Sequence, residues 1–310
     1  MIDLHLHLDG SMRPSTVREL LEKDGLNVFD SDEDSKKALT VSNDCKDLNE
    51  YLRCFDYPIM ALKRPENVER AVFELGEDLH KAGVTYGEIR FAPLLSAGPD
   101  LNEDEVTLAA IKGAFRAENA TGIKLGLILC CMRGTDHEHN FKTIRAAKKH
   151  LGDHVCAVDL AGAEALYGTE CFSEEFELAK SLDIPFTIHA GEAAGPESIW
   201  KALEFGAKRI GHGIRAIEDA TLVDYLARYE IPLEVCPTSN LQTRVFGDSR
   251  YYPLKELLEQ GVHATLNTDN MTVSNTNLKK ERKFVLEQCD LTMDDIELME
   301  QYSLAAAFLR

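Results

Sequence analysis

Residues 2–10 read IDLHLHLDG, a regular alternation of apolar and polar side chains that ends in glycine. Successive side chains of a β-strand point to opposite faces, so the leucines would share one face and His5 and His7 the other. Two imidazoles two residues apart on one face can chelate a single cation. A His-x-His pair alone is a weak signal, because a solvated strand face gives the same pattern. The rest of the chain therefore decides what this segment means.

Three further segments place a metal-type ligand at or just after the end of a short apolar run. They read IHAGE at 188–192, GHG at 211–213 and LNTDN at 266–270, and they supply His189, His212 and Asp269. A barrel of parallel strands gathers the carboxyl ends of its strands at one mouth, where active sites lie. We therefore expect these side chains to meet His5 and His7, although they are far apart in sequence.

Short apolar runs alternate with longer helical patterns along the chain, which is typical of repeated βα units. This alternation predicts a single α/β domain over residues 1–310, folded as a (β/α)8 TIM barrel. About seventy residues with helical patterns follow the first run, and an insertion there would lie over the mouth. The predicted strands are 2–8, 86–91, 124–131, 155–160, 185–189, 209–211, 232–235 and 264–267.

Within this insertion, Leu48, Tyr51, Leu52 and Phe55 recur at the spacing of one helical face. Such a stripe either packs against the barrel or forms a hydrophobic lid that closes over a substrate and excludes water. The pattern is compatible with both, and both can hold together. We predict a helical lid inserted after the first strand, with these four side chains facing the substrate.

Composition argues against several classes of partner. The chain has 310 residues and a formal net charge of −19, whereas nucleic acid and anionic membranes select Lys/Arg clusters. The first residues show no basic and apolar leader pattern, and no run approaches the roughly 20 apolar residues that span a bilayer. The eight cysteines form no Cys-x-x-Cys pair and are expected to be reduced thiols. We expect a cytoplasmic protein with a small-molecule partner.

The clustered ligands predict the chemistry. Three histidines and one aspartate suit a borderline divalent cation, with Zn²⁺ the first expectation, one per chain. An open coordination position would hold a water whose pKa the metal lowers to about 7. His212 lies between two glycines, a common setting for a reactive side chain, and Glu192 follows His189 by three residues. The chemistry would be hydrolytic attack on an electrophilic carbon.

Taken together, the motifs resemble those of adenosine deaminases within the amidohydrolase superfamily. The match runs in order along the whole chain, through HLHLDG at 5–10, RFAP at 90–93, DLAG at 159–162, HAGE at 189–192, GHG at 211–213 and LNTD at 266–269. The resemblance implies that His5, His7, His189 and Asp269 bind zinc. It also implies that Glu192 hands a proton to purine N1, and that His212 acts as a base or electrostatic stabiliser for the attacking hydroxide.

The resemblance further implies that the backbone of Gly162 contacts purine N3 and that Asp9 contacts the ribose hydroxyl region. Asn270 departs from the well-known animal members, which carry a second aspartate there that contacts purine N7. An amide NH₂ donates a hydrogen bond without taking up a proton, so the contact is preserved in principle. The reaction implied is zinc-dependent deamination of adenosine and 2′-deoxyadenosine to inosine and ammonia, in purine salvage.

Two alternatives stay open at this point. A sister enzyme on the same barrel would deaminate free adenine or another 6-aminopurine derivative, although Asp9 favours a substrate that carries a sugar. An enzyme of a different class, a metal-dependent phosphoesterase, would need cationic groups for phosphate. Arg90 and Arg133 lie at predicted strand ends and have no assigned role.

Overall fold

The computed structural model describes residues 1–99, 101–247 and 251–309. These residues form two sheets of four parallel strands, in the orders β1-β2-β3-β4 and β5-β6-β7-β8. The strands are β1 Ile2–His7, β2 Tyr86–Phe91, β3 Lys124–Met132, β4 Val155–Ala161, β5 Thr187–Ala190, β6 Arg209–His212, β7 Leu233–Val235 and β8 Ala264–Leu266. The predicted parallel α/β fold is confirmed. β5 begins two residues later than predicted, because Pro185 has no N–H to give to a ladder.

Backbone contacts join the two sheets at both outer edges. Val158 of β4 pairs with Phe186, just before β5, and Leu6 of β1 pairs with Asp269, just after β8. At this second seam, the His7 N–H donates to the Asp269 carbonyl at 2.7 Å, and the Asp269 N–H donates to the His5 carbonyl at 2.8 Å. The main chain itself therefore holds Asp269 beside the two histidines of the first strand.

Helices follow the strands along the described chain. They are α1 Pro14–Lys23, α2 Asp32–Leu39, α3 Leu48–Tyr51, α4 Asp56–Ala61, α5 Pro65–Ala82, α6 Pro93–Ser96, α7 Glu103–Thr121, α8 His137–His150, α9 Ser173–Ser181, α10 Pro196–Phe205, α11 Ala220–Arg228, α12 Pro237–Gln242, α13 Leu254–Glu259, α14 Leu278–Gln288 and α15 Met293–Ala306. Helices α1 to α5 all lie between β1 and β2, where the sequence predicts a helical insertion. Among the described helices, none combines the length and apolar character needed to cross a membrane.

The stripe of apolar residues in the insertion does not lie on one continuous helix. Helix α3 ends at Tyr51, a 3₁₀ turn covers Leu52–Phe55, and α4 begins at Asp56. A proline in a helix interior removes a hydrogen bond and clashes with the preceding turn, whereas it is tolerated in the first turn. Pro58 therefore favours a new helix start just before it, which breaks the helical run that the spacing predicts.

Candidate metal and catalytic site

The predicted ligands converge. One ligand atom from each of His5, His189, His212 and Asp269 lies within 4.8 Å of the others, and all four residues are buried. His7 adjoins this group, with its Nε2 at 3.1 Å from His189 Nε2 and 3.4 Å from Asp269 Oδ1. The fold thus brings together all four predicted ligands and also His212, which the sequence assigns a catalytic role.

Two buried carboxylates orient the imidazoles. His5 Nδ1 lies 2.8 Å from Glu234 Oε2, and His189 Nδ1 lies 2.9 Å from Asp159 Oδ2. A carboxylate on Nδ1 leaves Nε2 free to bind a metal, the usual arrangement around metal-ligating histidines.

The second ring nitrogen of His5 has no hydrogen bond to any residue that the structure describes. His5 Nε2 is buried, lies 3.4 Å from Asp269 Oδ1 and has no hydrogen-bond partner among the described residues. A buried polar atom without a partner is unfavourable, and a bound cation would satisfy it. Nitrogen and carboxylate donors at this spacing fit Zn²⁺.

Burial also sets the charge of most of these side chains. It lowers the pKa of His7, His189 and His212, which keeps the rings in the neutral form that binds a metal. Burial alone would raise the pKa of Asp269, but the neighbouring imidazoles of His5, His7 and His212 hold it well below its usual range. The group therefore offers neutral nitrogens and an ionised carboxylate. His5 is the exception, since its contacts with Asp269 and Glu234 raise its pKa despite burial and the charge of Arg90.

Two site residues have a strained backbone. His212 has a φ of 58° and Asp269 a φ of 59°, in the left-handed region that side-chain-bearing residues rarely adopt. Each such residue is disfavoured by roughly 1–2 kcal/mol, and strain of this kind clusters at functional sites. The glycines beside His212 suggest an unusual backbone there, and the structure places it on the histidine as well as on Gly213.

A cavity of about 250 Å³ opens beside the histidines. Pockets for small ligands are typically of about 300–1,000 Å³. This cavity lies just below that range, which suits a single small molecule. Every predicted substrate-contacting residue lines it, together with Glu192 and His212. The full lining is His7, Asp9, Leu48, Tyr51, Leu52, Phe55, Ile59, Ala92, Leu95, Cys130, Met132, Ala161, Gly162, His189, Glu192, His212, Asp269 and Asn270.

Glu192 and His212 face each other across part of this cavity. Glu192 Oε2 lies 3.5 Å from His212 Nε2, and His212 Nδ1 lies 3.0 Å from Asn240 Nδ2. Burial raises the pKa of Glu192 well above its ordinary value, and the charge of Asp269 raises it further. The raised pKa favours the protonated carboxyl group, the form that a proton donor needs.

Two glycines give the cavity its shape. A Cβ at Gly10 would come within 1.8 Å of Asn270 Oδ1, so only glycine lets the buried Asn270 amide lie against this turn. Gly162 has a φ of 102°, which side chains rarely adopt, and its backbone borders the cavity. Asp9 borders the cavity as well, and burial raises its pKa to about 6.

A buried charged network, which the sequence did not predict, lies beneath the site. Arg90 bonds to Asp159 at 3.0 Å and to Glu234 at 2.8 Å, and Arg209 bonds to Glu234 and Glu88, all at 0–1% exposure. Removing one member would leave an uncompensated buried charge. The available signal is the position of these charges, since each interrupts an apolar strand run. The two carboxylates on the histidines extend this network to the site.

Arg133, the other unassigned arginine, is also engaged. It donates to the His189 carbonyl at 2.7 Å, to Thr169 Oγ1 at 2.9 Å and to the Tyr167 carbonyl at 2.7 Å. Its side chain is nearly buried and holds the end of β5. Neither Arg90 nor Arg133 lines the cavity, which removes the feature that kept a phosphoesterase in consideration.

Comparison with known proteins identifies the family of this chain. The family model described as adenosine deaminase matches residues 1–310. A protein of Haemophilus ducreyi named adenosine deaminase is 47% identical over 315 residues, covering 100% of this chain and 92% of that protein. Among solved structures, adenine deaminase from Arthrobacter aurescens superposes with a TM-score of 0.90 at 21% identity, covering 100% of this chain and 94% of that one. An amidohydrolase from Burkholderia ambifaria with bound Zn gives 0.87 at 18% identity, with coverage of 100% and 85%.

The parallel strands carry a buried His/Asp group that could hold a metal ion, which defines a class of candidate metal-dependent α/β enzymes. Within that class the chain belongs to the adenosine deaminase family, as the match over its whole length shows. The family consists of hydrolases that act on a C–N bond.

Proposed function

We propose that this protein hydrolyses adenosine and 2′-deoxyadenosine to inosine or deoxyinosine and ammonia, with one Zn²⁺ per chain, in purine salvage. One observation carries the proposal. The buried carboxyl group of Glu192, whose pKa burial raises, shares a cavity with a group of metal-type ligands and lies 3.5 Å from His212. Attack of water on an aminopurine needs both an acidified water and a proton for the ring.

His5, His7, His189 and Asp269 would hold the zinc ion. When bound, it acidifies water, so that a nucleophile is available near neutral pH. His212 is kept for catalysis because its Nε2 faces Glu192 Oε2 at 3.5 Å, and it takes the proton of the attacking water. This assignment differs from the group of four whose ligand atoms all lie within 4.8 Å of one another. That group includes His212 and leaves His7 out.

The remaining roles belong to the cavity walls. Glu192 donates a proton to purine N1, which makes C6 electrophilic, and the water oxygen bonds to C6 as His212 takes one water proton. The C6–N6 bond then breaks: the amino group takes the proton held on His212 and leaves as ammonia, while the C6 hydroxyl proton returns to Glu192, which leaves a C6 carbonyl. Asn270 donates to N7 and the Gly162 N–H to N3. Asp9 accepts from a ribose hydroxyl. Each of these residues borders the cavity.

We further propose that the eight strands close into a (β/α)8 barrel spanning one domain, 1–310, with the insertion as its lid. The contacts at both sheet edges support closure. For the lid, Leu48, Tyr51 and Phe55 form a small buried cluster with Val273, while the same side chains border the cavity. The same side chains would therefore both pack in this cluster and cover the cavity. A cytoplasmic location suits the eight cysteines, which are all free thiols.

A substrate panel tests the proposal against its alternatives. Zinc-loaded protein is assayed with adenosine, 2′-deoxyadenosine, adenine and a phosphodiester, with a chelated sample as control. We expect kcat/KM for the nucleosides to exceed that for adenine by at least about 10²-fold, because Asp9 would be left unpaired without a sugar. A preference for adenine would select the sister activity, and phosphodiester hydrolysis would select the phosphoesterase class.

Asn270→Ala should lower kcat/KM for adenosine. The loss corresponds to about 1–3 kcal/mol of transition-state stabilisation, because purine N7 is left buried without a donor. The substrate 7-deazaadenosine has no N7 acceptor and serves as the matched control. We expect the variant and the unmodified protein to differ little on it. Equal losses on both substrates would show that Asn270 does not read N7.

A further inference from the structure

The segment between β5 and α10 carries Glu192, and one side chain collects its backbone donors. The carboxylate of Glu164 accepts hydrogen bonds from four successive N–H groups. Oε1 accepts from Gly191 at 2.8 Å, and Oε2 accepts from Glu192 at 3.1 Å, Ala193 at 2.6 Å and Ala194 at 2.9 Å. Successive N–H groups that point to one spot form a concavity that favours an anion.

Glu164 is itself well held. It lies in the loop after β4, is 2% exposed, and also accepts from Ser198 Oγ at 2.6 Å. A buried carboxylate is unfavourable unless its charge is compensated. Five donors compensate it here, and in the described part of the chain none of them is a lysine or arginine. Charge-assisted bonds of this kind are about twice as strong as neutral ones.

Two other contacts reach the segment: the Gly191 carbonyl accepts from the Arg215 N–H at 3.3 Å, and Ala193 packs against the apolar cluster that contains Tyr51. Gly191 has a φ of 75°, and a Cβ there would meet Ile199 Cδ1 at 2.4 Å, so the chain turns tightly after β5. Residues 191–194 belong to neither strand nor helix. The position of the Glu192 side chain therefore depends on where the backbone N–H groups are held.

We propose that Glu164 is a positioning residue, which holds the backbone of residues 191–194 and thereby places the carboxyl group of Glu192 in the cavity. The inference rests on the proposed role of Glu192. It makes the exact position of the Glu192 carboxyl group depend on a second carboxylate, that of Glu164, on another loop. A displacement of about 1 Å at a reacting group can lower a rate about 10²-fold. Loss of the Glu164 carboxylate should therefore act on kcat.

Glu164→Gln is the most direct variant. Its amide has one acceptor oxygen, so an NH₂ group must face either Gly191 N–H or the three N–H groups of residues 192–194. Glu175→Gln is the matched control, because Glu175 is fully buried and accepts from Asn140 Nδ2 at 3.1 Å and His137 Nδ1 at 2.8 Å. It lies on α9 and does not border the cavity.

The experiment measures kcat and KM for adenosine, zinc content and melting temperature for both variants, and repeats Glu164→Gln in a Glu192→Gln background. We expect Glu164→Gln to lower kcat about 10- to 100-fold, with zinc content unchanged and KM changed less than about threefold. Glu175→Gln should keep its kcat. In the Glu192→Gln background, the change at Glu164 should lower kcat less than about threefold, because residues that act through one group are not additive.

Ser198→Ala keeps the test decisive should Glu164→Gln fail to fold, since it removes one donor and leaves the carboxylate in place. It should lower kcat a fewfold, and this loss should vanish in the Glu192→Gln background. A wild-type kcat in Glu164→Gln, or its full loss retained in the double variant, would overturn the inference alone. A wild-type kcat in Glu192→Gln would instead remove the proposed acid, and the inference with it.

Discussion

His7→Ala should lose the bound zinc ion and at least about 10³-fold in kcat, whereas His212→Ala should keep one zinc per chain and still lose about 10²-fold or more. Loss of a partner outside the ligand set weakens metal binding about 10- to 100-fold, and loss of a ligand should exceed that. Without a metal, the pKa of the attacking water returns towards 15.7. The loss at His212 is on the scale of one missing acid–base group.

The measurement is zinc per chain by elemental analysis, alongside kcat, for both purified variants. The pair of variants separates two ligand sets that the geometry allows. His7 Nε2 lies 3.4 Å from Asp269 Oδ1, whereas His212 belongs to the group whose ligand atoms all lie within 4.8 Å of one another. The reverse pattern, with zinc lost from His212→Ala and retained in His7→Ala, would exchange the two roles.

Glu192→Gln should lower kcat at least about 10²-fold while zinc content stays at one per chain. Glutamine keeps the volume and can still donate a hydrogen bond to purine N1, but it cannot transfer the proton. Glu192 is 5% exposed, and burial raises the pKa of its carboxyl group, which favours the protonated form that the proposed role requires. The variant therefore removes proton transfer to purine N1 and keeps the hydrogen bond to it.

Glu197→Gln is the matched control for this change. It makes the same side-chain change five residues away, on the exposed start of α10, and its side chain does not border the cavity. We expect its kcat to stay within about twofold of the unmodified protein. A Glu192→Gln variant that loses zinc but keeps its rate per bound zinc would instead make Glu192 a contributor to metal binding.

The sequence predicted the parallel fold because its signals are local. Alternation in residues 2–10 sets which side chains share a face, and this depends only on strand geometry. The same holds for the strand-end positions of His189 and His212, which the barrel hypothesis brings to one edge. Helices α1 and α5 begin at Pro14 and Pro65, because proline is favoured in the first turn of a helix.

Tertiary structure decided the parts of the site that depend on partners distant in sequence. Nothing near Glu192 in sequence predicts that Glu164 holds its backbone, because the bonds cross from the loop after β4 to the loop after β5. Likewise, Glu234 and Asp159 can be recognised as charges within apolar runs, but which histidine each one orients depends on strand neighbours and register.

For Glu192 too, the sequence shows the residue, and the fold decides its pKa. A glutamate three residues after His189 is visible in the sequence, and its elevated pKa is not, because that shift comes from burial and from Asp269 across the cavity. Local sequence thus determined which chemical groups this protein has and on which faces they lie. Their charge states and distances were decided by the fold, since desolvation and Coulomb interactions act through space rather than along the chain.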